Sequence, residues 1–184
     1  MGFVVLGVCA AAVSYTAGSD AAAAGLDGAA MQVFAHGVVS GAFFLLVGML
    51  HRRTGTYDLK ALGGFAGQVP HFYGLMLVTG FAGLGLPGLI GSWGLLFIFR
   101  GSVESGAISA FAFAAAAGLL FVAGYTLWKI VQHIFLGALD QERWGQLPDM
   151  EGWEKLTVWP LVLLMLVLGL YPALALELFD AAVQ

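Results

Sequence analysis

An all-α integral membrane architecture is predicted by three observations. The chain is 60% hydrophobic and only 10% charged over 184 residues, whereas a soluble domain carries roughly a quarter charged residues. Five apolar blocks recur along it, at about 1–17, 30–50, 71–99, 107–136 and 157–176, and about 20 apolar residues suffice for a helix to cross a bilayer. The glycine- and proline-rich stretch Gly80 to Gly94, GFAGLGLPGLIGSWG, lies inside the apolar run Phe72 to Phe99. Together these predict a single membrane domain, residues 1–184, of about five transmembrane helices, one of them broken.

The first block is short for a span. Met1-Gly2-Phe3 offers no basic segment before the apolar run, and Val8 ahead of Cys9 fits a lipoprotein cleavage site poorly. The block therefore reads as a span, or as part of one that starts upstream. The lone Cys9 excludes an intrachain disulfide and any cysteine-held metal or iron–sulfur site within the chain. A small, acidic link from Gly18 to Gly28 carries Asp20 and Asp27.

The second block holds His36, with Ser40 one turn on and on the same face. Gly37, Gly41 and Gly48 form a small-residue edge that favours close helix contact. A link from His51 to Pro70 follows, basic at its start.

The third block runs for 28 residues, Phe72 to Phe99; as one straight helix it would be about 42 Å long against a hydrocarbon core of about 30 Å. Glycine and proline are poor helix-interior residues. The reading is a helix broken at Leu86-Pro87-Gly88, with Gly85 opening the step. Unpaired backbone survives there only inside protein or a watered cavity, and such breaks mark ion and substrate paths. A kinked or tilted helix, or two spans of a tight hairpin, is the plainer alternative. A short link runs from Arg100 to Gly106.

The fourth block ends in YTLWKIVQHIFLG, where Thr126, Lys129 and His133 share a helical face at i, i+3 and i+7. The link Ala138 to Lys155 is the most charged part of the chain, and the tail carries Glu177 and Asp180.

With five spans alternating sides, six of the seven basic residues fall on one face: Arg52, Arg53, Lys60, Lys129, Arg143 and Lys155 against Arg100 alone. Positive charge stays cytoplasmic, so the C-terminus is expected outside, toward the periplasm in a bacterium. Trp128, Trp144, Trp153 and Trp159 fall near the same boundary, as an aromatic belt would.

An ionisable group inside a span is by default a functional one, and an imidazole carries protons at physiological pH. His36 is thus a candidate proton relay; the alternative is a histidine satisfied by a neighbouring helix near the interface. Lys129 and His133 are candidates to feed it, against simple snorkelling of Lys129 to the headgroups. His51 and His71 flank the basic link and read as interfacial. There is no Walker loop, dinucleotide fingerprint, HExxH or readable Ser–His–Asp arrangement. GLGLPG has the loose spacing of a nucleotide loop in the wrong, apolar setting. No catalytic, metal-ligating or cofactor-binding residue is assigned, and the charge of −4 with no basic run gives no sign of a nucleic-acid partner.

The segments MGFVVLG, MQVFAHGVVSGAFFLLVGMLHRRTGTYDLKALGG, GFAGLGLPGLIG, YTLWKIVQHIFLG and WEKLTVWPLVLLMLVLGLYP occur here in that order. They resemble the C-terminal third of the antiporter-like membrane subunits of respiratory complex I, of the chain M or subunit 4 type. The resemblance runs nearly end to end. It implies a fold of about fourteen transmembrane helices, two of them broken, in inverted five-helix repeats, of which this chain resembles the last five. It implies proton movement along buried Lys, His and Glu at mid-membrane, with His36 as the central-path histidine and Gly85–Gly91 as the second break. It also implies sister membrane-arm subunits and the bilayer as partners, and a bacterial inner-membrane location. NAD, FMN, iron–sulfur and quinone chemistry would lie in other chains, with no cofactor in this one.

Two departures stand out. The family's broken helix continues as G-x-x-G-E with a proton-transferring glutamate, but here Gly91-Ser92-Trp93-Gly94 is followed by Leu95. Family loops often read R-T-H-T where this one has Arg53-Thr54-Gly55-Thr56. The family's first repeat and the upstream lysine helix are not in this sequence, so the expectation is a truncated frame or one part of a split subunit. The leading expectation is a C-terminal part of a proton-translocating NADH–quinone oxidoreductase subunit. A multisubunit cation/proton antiporter or membrane-bound hydrogenase subunit, and a non-conducting assembly module, are the alternatives.

Overall fold

The computed structural model describes residues 1–15, 20–174 and 176–177, and within them all side chains but those of residues 20, 120, 126 and 127. Asp180, and the side chain of Thr126, therefore lie outside the described residues. Among the described residues all regular structure is helical. In order come α1 (Gly2–Tyr15), α2 (Asp20–Thr54), α3 (Pro70–Gly83), α4 (Ile90–Glu104), α5 (Ser109–Ile130), a π-helical turn (Val131–Phe135), the short α6 (Gln141–Trp144) and α7 (Gly152–Leu170). Among the described residues, three helices are long and apolar enough to cross a membrane alone: 21–54, 109–135 and 152–170.

The helix α2 has 35 residues, about 52 Å at 1.5 Å per residue. It begins well before the second apolar block, taking in the small, acidic stretch expected to be a link. The cause is packing. A Cβ at Gly25 would stand 2.7 Å from the Gly7 carbonyl oxygen, one at Gly28 would stand 2.6 Å from the Ile98 nitrogen, and one at Gly101 would stand 2.7 Å from the Gly25 nitrogen. Backbone therefore meets backbone where α2 crosses α1 and α4, and glycine is what permits it. These pairings run α4 antiparallel to α2, with Gly94 against Gln32 one level further on.

The small edge expected to make such contacts does not. Among the described residues, nothing beyond the backbone of α2 itself lies within 4 Å of a Cβ built on Gly37, Gly41 or Gly48. Their face of α2, with Phe44 79% exposed, is open.

Two apolar cores follow. One gathers Leu46, Leu50, Phe65, Phe72, Phe135 and Val158 at the basic end; the other gathers Ala35, Val39, Ala82, Ile90 and Met165 around the break. Loops seal the basic end. Arg53, nearly buried, pairs with both carboxylate oxygens of the buried Glu154 and donates to the carbonyls of Met49 (3.0 Å), Pro148 (2.9 Å) and Asp149 (3.2 Å). Glu154 also accepts from the Glu151 backbone N–H in a capping box at the start of α7.

Asp149 caps α3 from a distant loop, accepting from the backbone N–H groups of His71 (3.1 Å) and Phe72 (3.2 Å). Its carboxylate also meets the His71 imidazole at 2.7 Å. Burial alone would raise the Asp149 carboxyl, but the His71 imidazole and the N–H groups of Met150, His71 and Phe72 outweigh it and hold it below the usual carboxylate range. Of the four belt tryptophans, Trp128, Trp153 and Trp159 are exposed, whereas Trp144 is tied into the protein by its N–H to the Ala61 carbonyl.

Candidate functional site at the helix break

The third block is broken where the glycine pattern indicates, with α3 ending at Gly83 and α4 starting at Ile90. Gly85 and Gly88 take φ of +73° and +88°, a region that β-carbon-bearing residues avoid. Gly85 closes α3 with a left-handed cap: the Leu86 N–H reaches back to the Phe81 carbonyl and the Gly85 N–H to that of Ala82, each at 3.1 Å. Across the step, the Leu89 N–H bonds the Leu86 carbonyl, and Ser92 turns both its N–H and its hydroxyl onto the Leu89 carbonyl. No side chain caps α4, so its start keeps the positive end of a helix dipole at the break.

The two half-helices touch through Gly91, where a Cβ would overlap the Ala82 carbonyl oxygen. From the other side, Gly169 of α7 presses on the Gly88 backbone, and Trp93 donates to the Gly169 carbonyl at 2.7 Å. The buried Leu95 packs against Gly85, in the space a Cβ there would need.

His36 stands beside this break. A cavity of about 30 Å³ is lined by Gln32, Ala35, His36, Val39, Ala82, Gly83 and Gly91. That is room for a water, which needs a cavity of at least about 10–15 Å³ and polar partners. Two polar side chains are among its walls: His36, whose Nδ1 lies 3.3 Å from the Ser40 hydroxyl, and Gln32, whose buried Oε1 has no hydrogen bond among the described residues.

Gln32 is a residue the sequence reading passes over. The signal was present, since Gln32, His36 and Ser40 recur at i, i+4 and i+8 as the polar stripe of an apolar helix. His36 itself is exposed on the open face of α2.

Lys129 and His133 lie elsewhere. Lys129 ends α5 half-buried, its ammonium 5.7 Å from the Tyr125 ring centroid. His133 is exposed in the π-turn, a feature common at functional sites. Neither is among the described walls of the His36 cavity. Among the described residues no group of three or more His, Cys, Asp or Glu could hold a metal ion.

These features define an all-helical integral membrane protein with a discontinuous helix set against a histidine-bearing span. Residues 2–121 match the family described as "NADH:quinone oxidoreductase/Mrp antiporter, TM", and the chain belongs to that family. It is 32% identical to NADH-quinone oxidoreductase subunit M of Rhodobacter capsulatus over 100% of this chain and 33% of that protein. It is 33% identical to NAD(P)H-quinone oxidoreductase chain 4 1 of Synechococcus elongatus, over 98% of this chain and 32% of that one. Among solved structures, a chain of respiratory complex I from Thermus thermophilus with bound NADH superposes with a TM-score of 0.67 at 29% identity, covering 94% of this chain and 33% of that chain. The chain thus spans about a third of the length of the relatives it matches, at their C-terminal part.

Proposed function

We propose that the chain serves in the membrane arm of a proton-translocating NADH–quinone oxidoreductase and contributes to a proton path coupled to quinone reduction. The observation that carries this reading is the cavity of about 30 Å³ walled by His36 and Gln32 of α2 and by Ala82, Gly83 and Gly91 of the two half-helices that flank the break. An imidazole takes and releases a proton without covalent change, and a water between it and the break supplies the next hydrogen bond.

In this reading His36 relays protons, Gly85-Leu86-Pro87-Gly88 provides the hydrated step, and Lys129 and His133 deliver protons from the cytoplasmic face. The basic loops face the cytoplasm and the C-terminus faces outward. NAD, FMN, iron–sulfur clusters and quinone belong to partner subunits; sister membrane-arm subunits and lipid are this chain's own neighbours.

The test is proton pumping by vesicles bearing the assembled complex with His36→Ala. Pumping should fall while the complex still assembles; undiminished pumping would sink the relay. One observation favours a second reading. Leu95 fills the break with apolar bulk where the resemblance places a glutamate, which suits a module that completes the assembly without conducting. Unchanged ion flux in Leu95→Glu, with deletion of the chain impairing only assembly, would favour that module. Co-purification with antiporter or hydrogenase subunits would instead move the same path to those complexes.

A further inference from the structure

Three cavities follow one another from the basic loops to the break. The first, about 200 Å³, is walled by Phe43, Val47, His51, Tyr57, Met76 and Ile130 among others. The second, about 240 Å³, is walled by Phe43, Gly83, Leu84, Leu119, Val122 and Ile130 among others. The third is the His36 cavity, which shares Gly83 with the second. Phe43 and Ile130 are common to the first two, and Gly83 is common to the last two. The first two therefore lie in the crevice between α5 and the α2–α3 pair, and the third continues past Gly83 between α2 and the facing ends of α3 and α4.

The ends of this line differ from its middle. At the loop end His51 stacks flat on Tyr57, with ring centroids 3.8 Å apart, and its Nδ1 is buried without a partner. At the inner end Gln32 Oε1 is orphaned likewise. Buried polar atoms without protein partners are ordinarily held by water. The middle offers water nothing, since Phe43, Leu84, Leu119, Val122 and Ile130 are apolar, and apolar voids stay dry. At the junction the ring of Phe43 lies 3.6 Å from the Cβ position of Gly83, with a Val39 methyl at 3.3 Å. Phe43 packs against both apolar cores and is the one aromatic wall common to the first two cavities.

We infer that this crevice is a second water route to the break, wet at His51 and at Gln32, closed between them by a dry gate whose moving part is the Phe43 ring. It rests on the proposed proton path, and it adds an entry from the basic face that bypasses Lys129 and His133. Hydrophobic constrictions gate by dewetting. A ring that faces the side-chain-free position of a glycine can turn aside without breaking a hydrogen bond.

The gate is tested apart from pumping, in the assembled complex with Cys9→Ala and one reporter, Leu84→Cys. A membrane-impermeant, charged thiol reagent is added on the face that bears Arg52 and Arg53. Labelling of Leu84→Cys should be slow, rise severalfold with Phe43→Ala, and return to the slow rate with Phe43→Leu. A rate indifferent to Phe43, or labelling only by a lipid-soluble reagent, would overturn the gate; the latter would mean that acyl chains fill the crevice. If labelling responds to Phe43 while His36→Ala leaves pumping intact, the crevice stands and the relay falls. If His36→Ala abolishes pumping with labelling indifferent to Phe43, the relay stands and the gate falls.

Discussion

A glycine-to-alanine series should change sign with position, and Gly28 shows why. A Cβ there would sit 2.6 Å from the Ile98 nitrogen and 2.9 Å from Ile98 Cγ1, whereas ordinary contact begins at 3.4 Å. Both obstacles belong to α4, one of them backbone, so the helices must part by most of an ångström. Overpacking of this kind costs about 1–3 kcal/mol, while alanine in place of glycine inside a helix recovers up to about 1 kcal/mol. The net expectation for Gly28→Ala is a loss of about 1–2 kcal/mol. Gly91→Ala and Gly169→Ala should cost more, because there the new methyl overlaps backbone atoms at the break. At Gly118 and Gly124, in α5, nothing among the described residues lies within 4 Å, and only the helical gain of about 0.5–1 kcal/mol remains.

The assay is unfolding of each purified variant by titration with SDS in mixed micelles, followed by helical circular dichroism. Gly118→Ala as damaging as Gly28→Ala, or Gly91→Ala as stable as the native chain, would refute the packing of α2, α3 and α4 described above. Gly37, Gly41 and Gly48 give the same series a second use. Alanine there should be harmless in the isolated chain, so damage seen only in the assembled complex would show that a partner covers that face.

Two further expectations concern the basic end. Removing either member of the Arg53–Glu154 pair strands a buried charge, which costs about 3–5 kcal/mol; Arg53→Ala, Glu154→Ala and the double variant should therefore be far from additive in the same unfolding assay, and additive costs below about 1 kcal/mol would mean the pair holds nothing. Asp149→Asn should cost about 1–2 kcal/mol, the worth of a charged cap and its hydrogen bonds. The Asp149 carboxyl is held below its usual range in the folded chain, so its stabilisation is complete above its unfolded value of about 3.9 and disappears as pH falls through the lower folded value. The gap between Asp149→Asn and the native chain should close in acid, and a gap that widens there would contradict the cap.

What could be read from the residues, and what could not, divides along the range of the forces involved. The break was legible because its cause is local: Gly85, Pro87 and Gly88 act on their own backbone torsions, and the step from Leu84 to Leu89 encloses the expected Leu86-Pro87-Gly88. The pairing of His36 with Ser40 was legible for the same reason, being one helical turn. Gln32 belonged to that stripe but escaped attention because an amide does not ionise.

The early start of α2 was not legible. Residues 20–29 are too small and too acidic to look like a span, and they are helical because Gly25 and Gly28 admit α1 and α4 to backbone contact. Glycine spacing marked Gly37, Gly41 and Gly48 and not Gly25 and Gly28, since spacing fixes a face and says nothing of what stands opposite it. Arg53 and Glu154 are 101 residues apart, and no local pattern could join them. A membrane helix thus announces where its own backbone will fail, because lipid leaves that failure few remedies. Which neighbour supplies the remedy is decided by the fold: here α7 presses Gly169 onto the break from one side, and His36 and Gln32 of α2 enclose its cavity from the other.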